Sequence, residues 1–468
     1  MRRLGPCPPR AALLARRRPR PWLCPRARLG AACPEPAAAP EPAAAPEPSA
    51  EAGGPASWPE RLADLVTPLW RLDYEQQLRV KAEALRGLLE RLEARLRALG
   101  SAPAPGLAAR LQPFRPSPLR DGYRNKCSFG VRQGPDGRPR TVGYVLGAPR
   151  PVCVPPGQLR HVPEGHRRLA RCYEAFLRQS PLEPYEAPGR GHWHELTVRS
   201  TARGHTMAIV AFHPQRLRPE QLAAPQEQLR RFFARGPGAA CGLTSLYWQE
   251  LAPGGPRYRL LAGEPHLLEE LAGLRLRISP AAFFQLNPAA APLLYGAVGE
   301  LAGLDGAAAL LDLSQGTGAT GLSQARRAAR VLSAGLAGPA LEDARWAAAF
   351  NGLDNWEARA DPPPSPLPGP LLDPPPGPSP PLVALVDPSR TGLDIGAIRA
   401  LRGCPALRTL VFVSCYPGGK AKRNFLELCC PPDPAKGLPG EPFVLRQAVP
   451  VDMFPHTAHC ELVLLFTR

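Results

Sequence analysis

The stretch Ala308-Ala309-Leu310-Leu311-Asp312-Leu313-Ser314-Gln315-Gly316-Thr317-Gly318-Ala319-Thr320-Gly321 runs from apolar residues through an acid into a glycine-spaced turn. An apolar run of this length, broken by glycines, reads as a buried strand over Ala308–Leu313. The G-x-G-x-x-G spacing then allows a tight turn and close approach of a ligand to backbone donors, with a helix expected over Leu322–Val331. Strand, glycine turn and helix in that order favour an adenosine-containing ligand over a chance run of glycines.

Two further apolar runs follow, Leu382–Asp387 and Leu407–Ser414, with a shorter one at Trp356–Ala360. Helical patterns separate them. Strand-helix alternation of this kind predicts an α/β, doubly wound, Rossmann-like sheet over residues 279–468. Residues 361–381 are almost wholly Pro, Gly, Leu, Ser and Asp. Proline lacks the ladder donor, so they form an insertion outside the sheet. Ahead of this domain, residues 107–278 carry short β-prone runs at Tyr123–Val131, Thr141–Leu146, Glu195–Ser200 and Thr206–Phe212. They predict a mixed α+β, largely antiparallel domain.

Further outward, Tyr74, Leu78, Leu85, Leu88, Leu89, Leu92, Leu96 and Leu99 recur at helical spacing. They define an N-terminal helix within residues 67–106. Residues 34–66 begin with Ala-Pro-Glu repeats that have nothing to pack, and read as a disordered tether. Residues 1–33 hold nine Arg and no acid, the composition of a mitochondrial transit peptide.

The whole chain of 468 residues has a formal charge of +18, which points to a polyanionic partner. It has no apolar run long enough to span a bilayer, so no membrane role is expected. Its 12 cysteines form no C-x-x-C pair. That favours reduced thiols and argues against a cysteine-bound metal.

In open parallel sheets, ligands gather at the carboxyl ends of the strands. Each of the three longer strands ends there in polar residues. The first delivers Asp312 and the Gly316 loop. The second delivers Asp387-Pro388-Ser389-Arg390-Thr391-Gly392, and the third Ser414-Cys415-Tyr416-Pro417. Cys415 at a strand tip reads as a nucleophile, its thiolate stabilised by Lys420, Lys422 and Arg423. Close to the C-terminus stands Asp452-Met453-Phe454-Pro455-His456-Thr457-Ala458-His459-Cys460-Glu461, before a strand at Leu462–Thr467. Alternation puts His459 and Glu461 on one side. With no third well-spaced ligand, acid–base work fits this cluster better than a metal.

These clusters, in this order, resemble the uracil-5 methyltransferases of transfer and ribosomal RNA, and most closely the mitochondrial branch of the transfer-RNA enzymes. The resemblance spans roughly residues 67–468. It includes Thr67-Pro68-Leu69, Tyr74-Glu75-Gln76-Gln77-Leu78, Tyr123-Arg124-Asn125-Lys126 and Phe283-Phe284-Gln285-Leu286-Asn287. It implies that Cys415 adds to C6 of a uridine and that Glu461 removes the C5 proton. It also implies S-adenosyl-L-methionine as cofactor, with contacts at Gln285, Gly316, Gly335 and Asp387, and a target base flipped from its stack.

Two departures from the family pattern fall in the cofactor region. Ser314-Gln315 replaces an aromatic or Cys pair, and Gly335 stands where an acid normally receives the ribose hydroxyls. An acceptor missing there costs about 1–3 kcal/mol, roughly ten- to a hundredfold in affinity. Glu342, in the helix beyond, is the nearest substitute. A cytosine-5 methyltransferase is disfavoured because no Cys follows Asp387-Pro388. The alternative function is an RNA-binding or tRNA-folding protein of the same fold with weakened catalysis. The expected working form is a monomer in the mitochondrial matrix, acting on tRNA or mitochondrial rRNA, without a structural metal.

Overall fold

The computed structural model describes residues 57–101, 106–147, 151–314, 316–359 and 380–468. The expected transit peptide, most of the tether and nearly all of the 361–381 insertion lie outside them.

Structure begins inside the expected tether, which is a correction. Helix α1 (Trp58–Val66) starts after Ser57, whose amide and hydroxyl donate to the Glu60 carboxylate at 2.9 and 2.8 Å, with a proline in its first turn. Leu62 and Ala63 are buried. The Ser-x-x-Glu spacing was the signal, hidden behind the low-complexity run. Helix α2 (Tyr74–Ala98) starts where its periodicity does, because Asp73 caps it, accepting from the Gln76 amide at 2.8 Å.

Among the described residues the first sheet has the order β3-β2-β1-β4-β5-β6-β7. Its strands are β1 (Lys126–Arg132), β2 (Thr141–Leu146), β3 (Val152–Val154), β4 (Trp193–Ser200), β5 (Thr206–Phe212), β6 (Ser245–Ala252) and β7 (Gly255–Gly263). Neighbours are antiparallel except β5 and β6. The parallel pair needs a crossover, which α4 (Pro219–Arg235) supplies. One sheet face packs on α3 (Glu164–Gln179) and α4 through Phe129, Leu196, Val198, Val210 and Trp248. The hairpin β8 (Leu267–Leu271) and β9 (Leu274–Ile278) belongs instead with the C-terminal core, which moves the expected boundary at 278 toward the N-terminus.

The second sheet runs β12-β11-β10-β13-β14-β16-β15. Strands β10 (Ala309–Asp312), β11 (Arg330–Ala334), β12 (Trp356–Arg359), β13 (Leu382–Val386) and β14 (Leu407–Ser414) are parallel. Strands β15 (Val444–Val451) and β16 (Glu461–Thr467) close it antiparallel. The order reverses between β10 and β13, which opens a crevice at their carboxyl ends.

Both faces are buried, and the strands alternate between them. Leu310, Val383, Leu385, Val411 and Val413 face α5 (Ala291–Ala302), α7 (Gly338–Phe350) and the β8–β9 hairpin. Leu311, Ala384, Val386, Leu410 and Phe412 face the helices Ile395–Gly403 and Ala421–Cys429 and, from the N-terminus, Leu85, Leu88, Leu89, Leu92 and Leu96 of α2. The N-terminal helix is therefore part of the layer that covers the second sheet. The chain after it runs along β15, where the amides of Gln112 and Arg115 donate to Ala448 and Pro450, covering that sheet edge.

The helix expected over Leu322–Val331 is absent. One α-helical turn forms, α6 (Ala319–Leu322), then a 3-10 turn at Ala325–Arg327, and β11 already starts at Arg330. Carbonyls that a helix would use internally are taken from outside: Asn355 Nδ2 donates to Ala325 and Ala328, both at 2.8 Å.

Candidate active site

The glycine turn is shaped by what lies against it. Gly316 has φ +98°, and a Cβ there would stand 2.7 Å from the ring of Phe283. At Gly321 a Cβ would meet the Asp312 carboxylate at 1.9 Å. The third glycine of the motif thus admits an acid. Asp312 is fully buried, accepting from the Ser314 amide at 2.9 Å and from Ser333 Oγ at 2.8 Å.

The segment that carries Gln285 is held by the first domain. Asn125 Nδ2 donates to the Gln285 carbonyl at 2.8 Å, and the Asn125 amide donates to Leu286. The two separated motifs, 123–126 and 283–287, are thus one joint. Phe283 is 54% exposed beside Gly316, an aromatic face at the crevice mouth.

Asp387 ends β13 and accepts from Thr320 Oγ1 at 3.3 Å. The loop after it is pinned by Asn424, whose side chain accepts from the Leu393 amide at 2.8 Å and donates to the Leu393 carbonyl at 3.0 Å. Gly392, at φ +71°, leaves room for that side chain.

Cys415 follows directly on β14, and Glu461 opens β16. The ladder pairs Ser414 with Leu462, so the thiol and the carboxyl face each other across adjacent strands. Burial pushes the Cys415 thiol up to about 12, Glu461 adding to the effect and Arg390 opposing it. Burial, then the charge of Asp387, raises Glu461 well above the ordinary carboxylate range, again with Arg390 opposing. Glu461 Oε2 is buried without a hydrogen-bond partner. Arg390 is therefore the cation of this centre, in place of the expected Lys420, Lys422 and Arg423. It lies in a hexapeptide that the sequence marks, but nothing local distinguishes it from the other basic residues.

Asp312, Asp387 and Glu461 stand at the ends of β10, β13 and β16 on this side of the sheet, and burial shifts each toward its neutral form. Asp312 adds to the shift at Asp387, and Asp387 to that at Glu461. This concentration of carboxyl groups suits a cationic ligand such as a sulfonium. The Gly316 cradle suits close approach of a polar ligand to the backbone.

Gly335 follows β11 immediately, at φ +89°. Of the acids beyond it, Asp343 is engaged, accepting from Arg277 Nε at 2.7 Å and from the Ser279 amide at 2.8 Å, while Glu342 is exposed.

The Asp452–Glu461 cluster divides into two parts, a second correction. Asp452 makes a fully buried ion pair with Lys81 of α2 at 2.7 Å, so it is unavailable for proton transfer. His456 is likewise enclosed, with Nε2 donating to Asp121 at 2.8 Å. His459 lies on the catalytic side, its ring edge-on to Tyr416 with centroids 5.8 Å apart. Among the described residues no group of three His, Cys, Asp or Glu is placed to hold a metal ion.

A human protein named tRNA (uracil-5-)-methyltransferase homolog B is 53% identical over 431 residues, 88% of this chain and 84% of that protein. The chain belongs to the tRNA (uracil-5-)-methyltransferase homologue family. The zebrafish homolog B is 44% identical over 425 residues, covering 88% of each chain. Human homolog A is 39% identical over 432 residues, 87% of this chain and 68% of that protein. No family model matches the chain. The crystal structure of Pyrococcus abyssi tRNA (uracil-54, C5)-methyltransferase in complex with S-adenosyl-L-homocysteine superposes with TM-score 0.56 and 21% identity over 85% of each chain. That likeness shows the fold that this family member shares with it.

Proposed function

We propose that the protein methylates C5 of a uridine in RNA through a covalent adduct at Cys415. The observation that carries this is the pairing of Cys415 with Glu461 across β14 and β16, under one guanidinium. Uracil C5 is too weak a nucleophile to attack a methyl sulfonium unaided. Addition of the Cys415 thiolate to C6 makes the ring an enolate whose C5 is nucleophilic. Arg390 favours the thiolate and balances charge beside it. After methyl transfer, Glu461 takes the C5 proton, the C5–C6 double bond re-forms and the thiolate leaves.

Gln285, Gly316, Gly335 and Asp387 are the residues that would hold S-adenosyl-L-methionine, which supplies the methyl group on a sulfonium. The relatives' names make tRNA the favoured substrate class. The T-loop uridine is the proposed target in tRNA, mitochondrial rRNA is a second substrate, and the protein acts as a monomer. The arginine-rich, acid-free residues 1–33 support action in the mitochondrial matrix. A second reading, an RNA-folding protein with weakened catalysis, is motivated by Gly335 and the Pro-rich run at 361–381, and retention of both Cys415 and Glu461 argues against it.

The test is mass spectrometry of nucleosides from mitochondrial RNA of cells with and without the protein. Loss of 5-methyluridine on deletion, restored by wild type but not by Cys415→Ala, is the expected result. Restoration by Cys415→Ala would replace this reading with the non-catalytic one. A fusion of residues 1–60 to a fluorescent protein tests the address, and a diffuse cytosolic signal would refute it.

A further inference from the structure

His456 is one of the non-glycine residues held at positive φ, at +69°, in the connection between β15 and β16. A left-handed backbone at such a residue persists only where surrounding contacts enforce it. Here every polar atom of the residue is engaged. Its amide donates to Gln77 Oε1 at 2.7 Å, and its carbonyl accepts from the Leu69 amide at 3.0 Å. Its Nε2 lies 2.8 Å from Asp121, and its Nδ1 lies 3.2 Å from Gln77 Nε2.

The donor pattern is self-consistent in only one arrangement. A carboxylate accepts only, so Nε2 carries the proton and Nδ1 accepts from the Gln77 amide group. That amide group also donates to the Leu72 carbonyl at 3.0 Å. Around this turn the connection is tied at further points. Lys81 donates to Asp452 and to the Phe454 carbonyl at 3.0 Å, and the Tyr123 hydroxyl donates to the Pro455 carbonyl at 3.1 Å.

What lies beyond the turn is the catalytic wall. Glu461 sits in the terminal pair of the β15–β16 ladder, opposite Val451. A terminal pair frays unless its connection is held. We propose that Gln77 and His456 are positioning residues for the general base. Gln77, from α2, holds His456 in its left-handed turn, and the turn fixes the end of β16 so that the Glu461 carboxyl meets the adduct. This rests on the reading of Glu461 as base.

The test uses the full chain, S-adenosyl-L-methionine and an unmodified transfer-RNA transcript. Four variants are compared: Gln77→Leu, Asp121→Ala, Asp121→Asn and, as reference, Glu461→Gln. The expected result is that Gln77→Leu lowers kcat about ten- to a hundredfold, as small misplacements do, while KM for RNA stays within about twofold. The methylated covalent protein–RNA species should accumulate on denaturing gels, as for Glu461→Gln. Asp121→Ala, at a half-exposed side chain, should show the same signature more weakly, and Asp121→Asn should restore turnover because it still accepts from Nε2.

Thermal melting identifies a Gln77→Leu protein that fails to fold, and the Asp121 pair then decides. Wild-type turnover in a folded Gln77→Leu protein, or reduced turnover without trapped adduct, overturns the positioning role. So does equal activity of Asp121→Ala and wild type. Absence of adduct in Glu461→Gln itself would instead show that the base is misassigned, and the proposal would fall with it.

Discussion

The two ends of the crevice are built to different degrees of completeness. At the β14–β16 end, a thiol, a carboxyl and a guanidinium converge, and each is held by a sheet ladder or a pinned loop. At the β11 end, Gly335 offers backbone alone, and the nearby Asp343 is committed to Arg277 and Ser279. On the proposed reading, the adduct end is specified by side chains whose loss nothing nearby replaces, and the Gly335 end lacks one acceptor for the cofactor while keeping the fold around it. The difference separates chemistry from cofactor affinity, and substitutions at each end should report on one and spare the other.

The largest effect is expected at Cys415. Cys415→Ala should lower methylation by about 10⁴-fold or more, as removal of a covalent nucleophile does, while RNA affinity stays nearly unchanged because phosphate contacts carry it. Single-turnover methyl transfer and filter binding on the same preparation check both halves. Appreciable residual turnover would break the comparison at its stronger end.

Next comes Arg390→Gln, expected to cost about 10²–10³-fold in kcat by removing the charge beside the thiolate. Arg390 holds the Cys415 thiol down, so its removal lets that thiol rise further and should move the rate profile to higher pH. A profile that stays in place or moves toward acid would assign the guanidinium to RNA binding instead.

The smallest effect belongs to the ribose end. Gly335→Asp should tighten S-adenosyl-L-methionine binding by about tenfold in titration calorimetry, with RNA affinity unchanged. Asp tolerates a left-handed backbone better than Glu, and Gly335→Ala serves as the control for strain, expected at about 1–2 kcal/mol in thermal melts. Equal cofactor affinity in wild type and Gly335→Asp would show that another group already serves the ribose.

Much of this was readable along the chain, and the failures have identifiable causes. β14 was expected over Leu407–Ser414 and stands there, because an apolar run ending in Ser-Cys-Tyr-Pro has one plausible period and one plausible end. Helix α1 was missed because its Ser-x-x-Glu start adjoins a low-complexity run. The helix after Gly321 was expected too long because nothing near it shows that Asn355 will capture its carbonyls. His456 and Asp452 were grouped with the acid–base residues because their types suit that work, whereas their partners Gln77 and Lys81 lie more than 370 residues away.

What the sequence by itself determined is the strand–helix alternation of the second sheet and the strand ends at which Cys415, Asp387, Glu461 and the Gly316 loop stand. Local periodicity and turn chemistry act over a few residues, and these features need no more. Only the tertiary structure decided that Arg390 is the cation at the thiol, that α2 belongs to the layer that covers the second sheet, and that His456 braces a turn. Charge, burial and hydrogen bonding depend on distance in space, and in a doubly wound sheet the residues that meet in the crevice come from strands that are distant in sequence.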